Sequence, residues 1–519
     1  MNKRAHWTSN IGFLLAAVGS AVGLGNIWRF SYMVYKNGGS AFLIPYFIAL
    51  LTIGIPILVL EYGIGYWRKG SAPKALRDID ERWEWLGWWI VSFVMFGIVI
   101  YYCVVIAWCL NYFLLSFKLF WNSGWGNNTN EYFFKNFLNL SSSITNIGSI
   151  NFKIALANLF IWLICWFICY KGIAKGIEKA NKIFMPLLFF LTLALVIWSF
   201  FLKGSKIGYD YYFLKPDFSK LRDIKVWIDA YTQNFFTLSV GFGIMIAYAS
   251  YLPPKTSIVK NAFLTGLLNH GYSFMTGFAV FGVLGYMSQS QGVPISKIVK
   301  EGVGLAFVAF PQAINTLPFG RLNAIVGIIF FFCLVIAGIS SAISIIEAFS
   351  SAILDKFHFH RRHVVTILSI IGFLGGLIFT TSAGLYFLDI IDHFLTNYAL
   401  VITGILECVI VGWFLSTKLL ISYLIKESPA TGIKKKILSF FLFGFWSYCI
   451  RFLSPAILIT IFVLSIKSDV SKPYGGYDPV YLLVIGVGSL VVTHIIGYTI
   501  SCFRWKDEPE ENYWDEELS

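Results

Sequence analysis

The chain has 519 residues, 57% of them hydrophobic and only 13% charged, with a net charge of +13 from 40 basic and 27 acidic side chains. Soluble domains carry about 25% charged residues. There are too few charges here to coat the several globular domains that this length would otherwise imply, and the apolar weight excludes disorder, so a polytopic membrane protein remains.

A hydrocarbon core needs about 20 apolar residues per helix. Twelve such runs are predicted, at about 10–35, 41–67, 86–120, 154–170, 183–202, 227–252, 259–287, 321–354, 364–380, 385–415, 441–466 and 479–503. The first run is long, interrupted by glycine and without a small-residue cleavage site, so it reads as a span and not as a signal peptide. The Asn- and Ser-rich stretch 122–152 reads as an exterior loop. Segment 289–320, with Pro294, Pro311 and Pro318, reads as a structured lid, and the acidic stretch 505–519 as a solvated tail.

The basic residues occupy alternate connections: Lys3 and Arg4; Arg68, Lys69, Lys74, Arg77 and Arg82; Lys171, Lys175, Lys179 and Lys182; Lys356, Arg361 and Arg362; Lys434, Lys435 and Lys436. This places those loops and, with an even number of spans, both termini in the cytoplasm. The lysines of 203–225 argue weakly the other way. A charge excess spread over short loops is not a nucleic-acid footprint. All eight cysteines lie within apolar runs, so no disulfide framework is read. Cys165 and Cys169, four residues apart, read as small packed or lipid-facing residues. His358, His360 and His363 fall in a basic loop and read as solvated.

Two runs look broken. The first contains Gly19-Ser20-Ala21-Val22-Gly23-Leu24-Gly25-Asn26 and the sixth Phe236-Thr237-Leu238-Ser239-Val240-Gly241-Phe242-Gly243. Each glycine costs a helix about 1 kcal/mol against alanine, and unwound backbone at membrane depth is tolerated only where it lines a protein cavity. Gly19 and Gly23 alone would read as a helix-packing pair. Breaks in the first and sixth runs together occupy matching positions of two five-helix halves, the arrangement that marks a midplane binding site in inverted-repeat transporters. No nucleophile–base set or metal cluster that would make an enzyme is found in the apolar segments, and no repeated filter sequence that would make a channel.

Gly23-Leu24-Gly25-Asn26-Ile27-Trp28-Arg29-Phe30, Tyr35 to Gly39, Phe42 to Tyr46, Trp227 to Ala230, Gln233 to Gly243, and Gly304 to Phe307 with Pro311 resemble the neurotransmitter:sodium symporter family. The resemblance runs through all twelve runs. It implies the all-α LeuT fold, in which two broken helices, the first and the sixth, sit in a 5+5 inverted repeat. The repeats would span about 9–202 and 225–415, with peripheral helices in 441–503. It also implies sodium-coupled, electrogenic import of a small molecule by alternating access at the cell membrane. A monomer and a homodimer in membrane lipid are both open, and so is a transport-inactive sensor on the same fold.

The site residues follow from the resemblance. One sodium ion would be held by Ala21, Asn26, Thr237 and Asn269 with a substrate carboxylate, and a second by Gly19, Val22, Ala337, Ser340 and Ser341. Neutral oxygens suit a hard cation, although Ser340 and Ser341 taken singly would read as bonding back to helix carbonyls. Amides near Gly23 and Gly25 with the Tyr102 hydroxyl would hold the carboxylate, and carbonyls around Phe236 and Thr237, beside Ala21, the ammonium. Ile98, Ser239, Phe242, Ser341 and Ile345 would form an uncharged side-chain subsite, which implies a neutral, aliphatic amino acid. Family members that carry amines without a carboxylate have Asp in place of Gly23; another small zwitterion or amine is the alternative substrate.

Ser273 stands where bacterial members commonly carry an acid and animal members Ser with chloride, and Asp229 and Glu347 also follow the animal pattern. Two cations beside a zwitterion leave costly excess charge in low dielectric, so a chloride at Tyr46, Gln233, Thr237, Asn269 and Ser273 is expected, with Glu61 as the alternative counter-charge. Arg29 and Asp392 resemble an outer gate closed by Phe236 and Tyr102. Arg4 and Asp355, with Trp7, Ser250 and Tyr251, resemble an inner gate. Ser31 and Ser40 depart from the Pro and Gly of many members, and no function is attached to them.

Overall fold

A computed structural model describes residues 5–121, 124–298, 302–317, 320–415 and 417–506. The expectations for Arg4, Pro318 and the acidic tail lie outside the described residues. Ser9 opens the first helix by accepting the Gly12 N–H, and α1 (Asn10–Ala21) is followed at once by α2 (Leu24–Lys36), bent from it by 53°. Then come α3 (Gly39–Arg68), α4 (Glu81–Trp121), α5 (Phe152–Tyr170) and α6 (Ile173–Phe200). The sixth run is again two pieces, α7 (Ile224–Thr237) and α8 (Ile244–Ser250), and the seventh is α9 (Ile258–Gln291). The chain continues with α10 (Gly320–Phe357), α11 (Arg361–Thr380), α12 (Gly384–Phe414), α13 (Gly432–Gly476) and α14 (Pro479–Ser501).

Among the described residues, nine of these helices are long and apolar enough to cross a membrane, and the bent α1–α2 pair passes when taken together. The α7–α8 pair and α9 carry the expected sixth and seventh runs. Their buried polar side chains, among them Gln233, Asn234, Asn261, Asn269 and Ser273, dilute the apolar character. No strand occurs among the described residues; Ile150 and Thr381 form one isolated antiparallel bridge.

Three expectations are corrected. Lys434, Lys435 and Lys436 lie on the first turns of α13 and not in a loop, because the helix begins before its apolar run. The preceding link holds an amphipathic helix, Thr417–Glu427, that buries Leu420, Ile421 and Leu424. The exterior stretch after α4 contains the short helical pieces Thr129–Glu131 and Tyr132–Phe137, whose Phe133 and Phe137 are buried.

The expected lid is helical over Leu305–Ala309 and Phe310–Thr316. Phe307 inserts from it into an aromatic cluster with Trp108, Tyr112, Phe133 and Phe331. α10 lies along α4, and Gly338 permits the approach: a Cβ there would stand 2.5 Å from Ile106. α1 packs on α6, α9 and α10, and α8 on α3. The two helix breaks are thereby enclosed by the long helices. Cys165 and Cys169 are fully buried, the second 3.6 Å from the Ile343 carbonyl, so packing and not lipid accounts for them.

Candidate functional site

At the first break Val22 (φ −78°, ψ 98°) and Gly23 (φ −123°, ψ −166°) leave the helix, and α2 restarts with the Asn26 side chain accepting the Gly23 N–H at 2.8 Å. At the second, Ser239, Gly241 and Gly243 have φ of 53°, 75° and 69°. This left-handed backbone suits the two glycines, while a serine held there costs on the order of 1–3 kcal/mol. The two breaks meet. The Ser239 hydroxyl donates to the Ser20 carbonyl at 3.1 Å, and Ser341 from α10 donates to the same carbonyl at 3.1 Å. Ser20 is a junction that the sequence reading passed over. The available signal was that the last carbonyls of any helix lack intrahelical partners.

Around this junction the expected residues form connected sets. The Asn26 amide donates to Asn269 Oδ1 and to Ser273 Oγ, both at 2.8 Å, and the Asn269 amide donates to Thr237 Oγ1 at 3.3 Å. Asn26, Thr237 and Asn269 are all at most 4% exposed. α2, α7 and α9 thus bring neutral amide and hydroxyl groups into one connected set, whose oxygens are of the kind a hard cation takes. In the second set the Ser340 and Ser341 hydroxyls donate to the Ala337 carbonyl at 2.9 and 3.3 Å. Donation leaves each hydroxyl oxygen its lone pairs. Gly19 faces α6, where a Cβ would stand 2.2 Å from Asn181 Oδ1; among the described residues no hydrogen bond joins Gly19 or Val22 to Ser340 or Ser341.

Beside the α2 N-terminus the Tyr102 hydroxyl lies against the Ser341 side chain and the Leu24 N–H. A Cβ on Gly23 would stand 3.1 Å from both the Ser341 and Tyr102 hydroxyls, and one on Gly25 3.5 Å from the Phe236 ring. Gly23 therefore keeps the backbone open beside these hydroxyls, while a Cβ on Gly25 would make only an ordinary contact with Phe236. Ile98, Phe242 and Ile345 are 3–5% exposed, and Phe236 meets Phe242 edge to face at 6.3 Å.

The Tyr46 hydroxyl approaches Ser273. It and both polar side-chain atoms of Gln233 are buried without a hydrogen-bond partner among the described residues. Orphaned buried donors are costly, and the Tyr46 hydroxyl beside Ser273 and the buried Gln233 amide of α7 are donors of the kind an anion takes. Glu61 accepts the Gly241 N–H at 2.5 Å and so supports the second break from α3. Glu407 of α12 lies beside it, fully buried, and was missed because one acid in an apolar run does not reveal its partner.

At the expected outer gate the Arg29 guanidinium lies over the Phe236 ring at 4.8 Å. Asp392 accepts from Tyr101 at 2.5 Å, and no direct ion pair joins Arg29 to Asp392 among the described residues. The hydroxyl of Tyr101, which was not singled out, holds the carboxylate, while Arg29 lies close enough to act on Asp392 through its charge. At the expected inner gate Trp7 is 4% exposed, donates from its indole to the Tyr248 carbonyl at 2.8 Å, and donates its backbone N–H to the Tyr251 carbonyl at 3.2 Å. Ser250 donates to the Ala247 carbonyl at 2.6 Å, and Asp355 accepts the Ser71 N–H at 2.7 Å. Tyr251 donates to Glu347 at 2.9 Å, which also pairs with Arg361. Asp229 pairs with Lys36 at 3.0 Å. The two sequence departures have local partners: Ser31 bonds back to Ile27, and Ser40 to the Phe213 carbonyl.

The sequence profile of the sodium:neurotransmitter symporter family matches residues 4–130 and 121–506. The chain belongs to the sodium:neurotransmitter symporter family. It is 46% identical over 490 residues to an uncharacterised sodium-dependent transporter of Methanocaldococcus jannaschii, covering 94% of this chain and 95% of the relative. It is 32% identical over 504 residues to the human sodium- and chloride-dependent GABA transporter 2, covering 89% and 80%. It is also 32% identical over 452 residues to the dog sodium- and chloride-dependent taurine transporter, covering 79% and 71%. This symporter is therefore a multi-pass, sodium-dependent membrane transporter with the LeuT fold, and not an enzyme.

Proposed function

We propose that this symporter imports a neutral, aliphatic amino acid with sodium across the cell membrane by alternating access, with both termini cytoplasmic. The connected network of neutral amide and hydroxyl groups of Asn26, Thr237, Asn269 and Ser273, beside the α2 N-terminus, carries the reading. Sodium binds at Ala21, Asn26, Thr237 and Asn269, and a second ion at Gly19, Val22, Ala337, Ser340 and Ser341. The substrate carboxylate meets the N–H groups around Gly23 and Gly25 and the Tyr102 hydroxyl, where a helix N-terminus favours an anion. Its ammonium meets Ala21 and the carbonyls of Phe236 and Thr237. Its side chain lies among Ile98, Ser239, Phe242, Ser341 and Ile345, where a charge would find no partner and an aliphatic group would.

Transport is chloride-dependent on this reading. Tyr46, Gln233, Thr237, Asn269 and Ser273 would hold the anion, which supplies negative charge beside the sodium ions; the unpartnered Tyr46 hydroxyl and Gln233 amide support it. The GABA and taurine relatives favour a second reading, a zwitterion whose two charges lie farther apart. Initial-rate uptake into proteoliposomes of labelled alanine, valine, leucine, GABA and taurine, each with chloride or gluconate, separates the two. Saturable uptake of an aliphatic α-amino acid supports the first reading. Uptake of GABA or taurine alone overturns it.

A further inference from the structure

The first turn of α1 contains no acidic residue of its own. A carboxylate reaches it from another helix. Glu178 of α6, 1% exposed, accepts from the Thr8 backbone N–H at 2.8 Å, the Thr8 hydroxyl at 2.5 Å and the Ser9 hydroxyl at 3.1 Å. Lys182 completes the site at 2.7 Å from Glu178 Oε1. The seat is sterically matched: a Cβ on Gly12 would stand 2.0 Å from Glu178 Oε1, so α1 carries glycine where the carboxylate lies.

A negative charge at a helix N-terminus is stabilising, and hydrogen bonds to an ionised acceptor are stronger than neutral ones. Ser9, the cap drawn from α1's own chain, travels with the helix. The carboxylate that holds Thr8 and Ser9 belongs to α6, so it contributes only while α1 and α6 are together. α1 is the half-helix that ends at the ion and substrate break. Contacts present in one state of a two-state equilibrium bias it toward that state.

We propose that Glu178 is a gating residue, whose carboxylate holds the start of α1 against α6 when this end of the bundle is closed and lets go when it opens. The latch is separate from the Trp7 contacts to α8 and from the reciprocal amide pair of Asn10 with Asn261 on α9. The inference rests on the alternating-access reading above.

The test uses the full-length protein in lipid nanodiscs. A Ser250→Cys reporter sits at the same end of the bundle, and Cys502, the exposed native cysteine, is replaced by Ser. The rate of maleimide labelling is measured in sodium and in potassium, together with the thermal midpoint. Sodium is expected to slow labelling in the parent. Glu178→Gln is expected to raise the rate in sodium by roughly tenfold, the factor that losing one charge-assisted hydrogen bond supplies. Gly12→Ala, which keeps the acid but fills its seat, is expected to do the same, and Glu178→Asp to restore part of the slow labelling. A purely structural role would lower the thermal midpoint without changing the sodium-to-potassium ratio. Parent-like ratios in folded Glu178→Gln and Gly12→Ala overturn the latch alone; a parent that ignores sodium overturns the alternating-access reading with it.

Discussion

Replacing Gly23 by Ala adds one methyl group where the two helix breaks meet. The backbone there, at φ −123° and ψ −166°, is open to any residue, so no strain follows from the peptide chain itself. The new Cβ would instead stand 3.1 Å from both the Ser341 and Tyr102 hydroxyls. Both must retreat by a few tenths of an ångström; the Tyr102 hydroxyl belongs to the proposed carboxylate site, and Ser341 to the proposed side-chain subsite and second sodium site. Weakening one such hydrogen bond costs about 0.5–1.5 kcal/mol, or a roughly 2–10-fold rise in substrate KM, since about 1.4 kcal/mol is tenfold. The assay is initial-rate uptake in proteoliposomes over a substrate series, with sodium-dependent binding measured alongside. The thermal midpoint should stay near the parent value. A Gly23→Ala protein with the parent KM would refute the placement of the carboxylate beside Tyr102.

Four further outcomes are expected. Ser273→Glu supplies a fixed negative charge beside Tyr46 and should make uptake independent of chloride; equal chloride dependence in variant and parent would contradict the anion site. Arg4→Ala should bias the protein toward the inward-open state, and cysteine accessibility from the two sides that matches the parent would refute this. Glu61→Leu leaves the buried Gly241 N–H without its acceptor and should cost about 1–3 kcal/mol of stability in thermal unfolding, whereas Glu407→Gln keeps a polar partner beside Glu61 and should cost less. Lys356→Ala removes the fully buried ammonium that pairs with Glu84 at 2.6 Å and should destabilise by about 3–5 kcal/mol, with a parent-like melting curve as the contrary result.

The architecture was legible because a bilayer demands long apolar runs and forbids stray open backbone. The breaks at Gly23 and at Ser239 to Gly243 announced themselves as polar and glycine-rich interruptions of such runs. Asn26, Asn269 and Ser273 were legible as a group only through the resemblance, since the residues they join lie more than 240 positions apart. The misses share one cause: they depend on partners that the local pattern does not show. Tyr101 takes Asp392, Glu407 faces Glu61, and Glu178 reaches back to Thr8 and Ser9 across 170 positions. Trp505, the first residue of the acidic stretch, donates to the same Glu84 that Lys356 holds, at 2.9 Å. The Ser340 and Ser341 hydroxyls bond back to Ala337, the local habit of serines in helices, and Ser341 adds the long-range bond to Ser20 that a sequence window cannot contain.

Accumulation against a gradient tests the central claim most directly. Proteoliposomes holding the purified protein and a labelled aliphatic amino acid at equal concentration inside and outside would be given an inward sodium gradient. The internal concentration is expected to rise above the external one, to collapse when a sodium ionophore is added, and to stay level when potassium replaces sodium or when Asn269 is changed to Ala. Accumulation that persists without sodium, or that Asn269→Ala leaves intact, would contradict sodium-coupled transport through the site built at the two helix breaks.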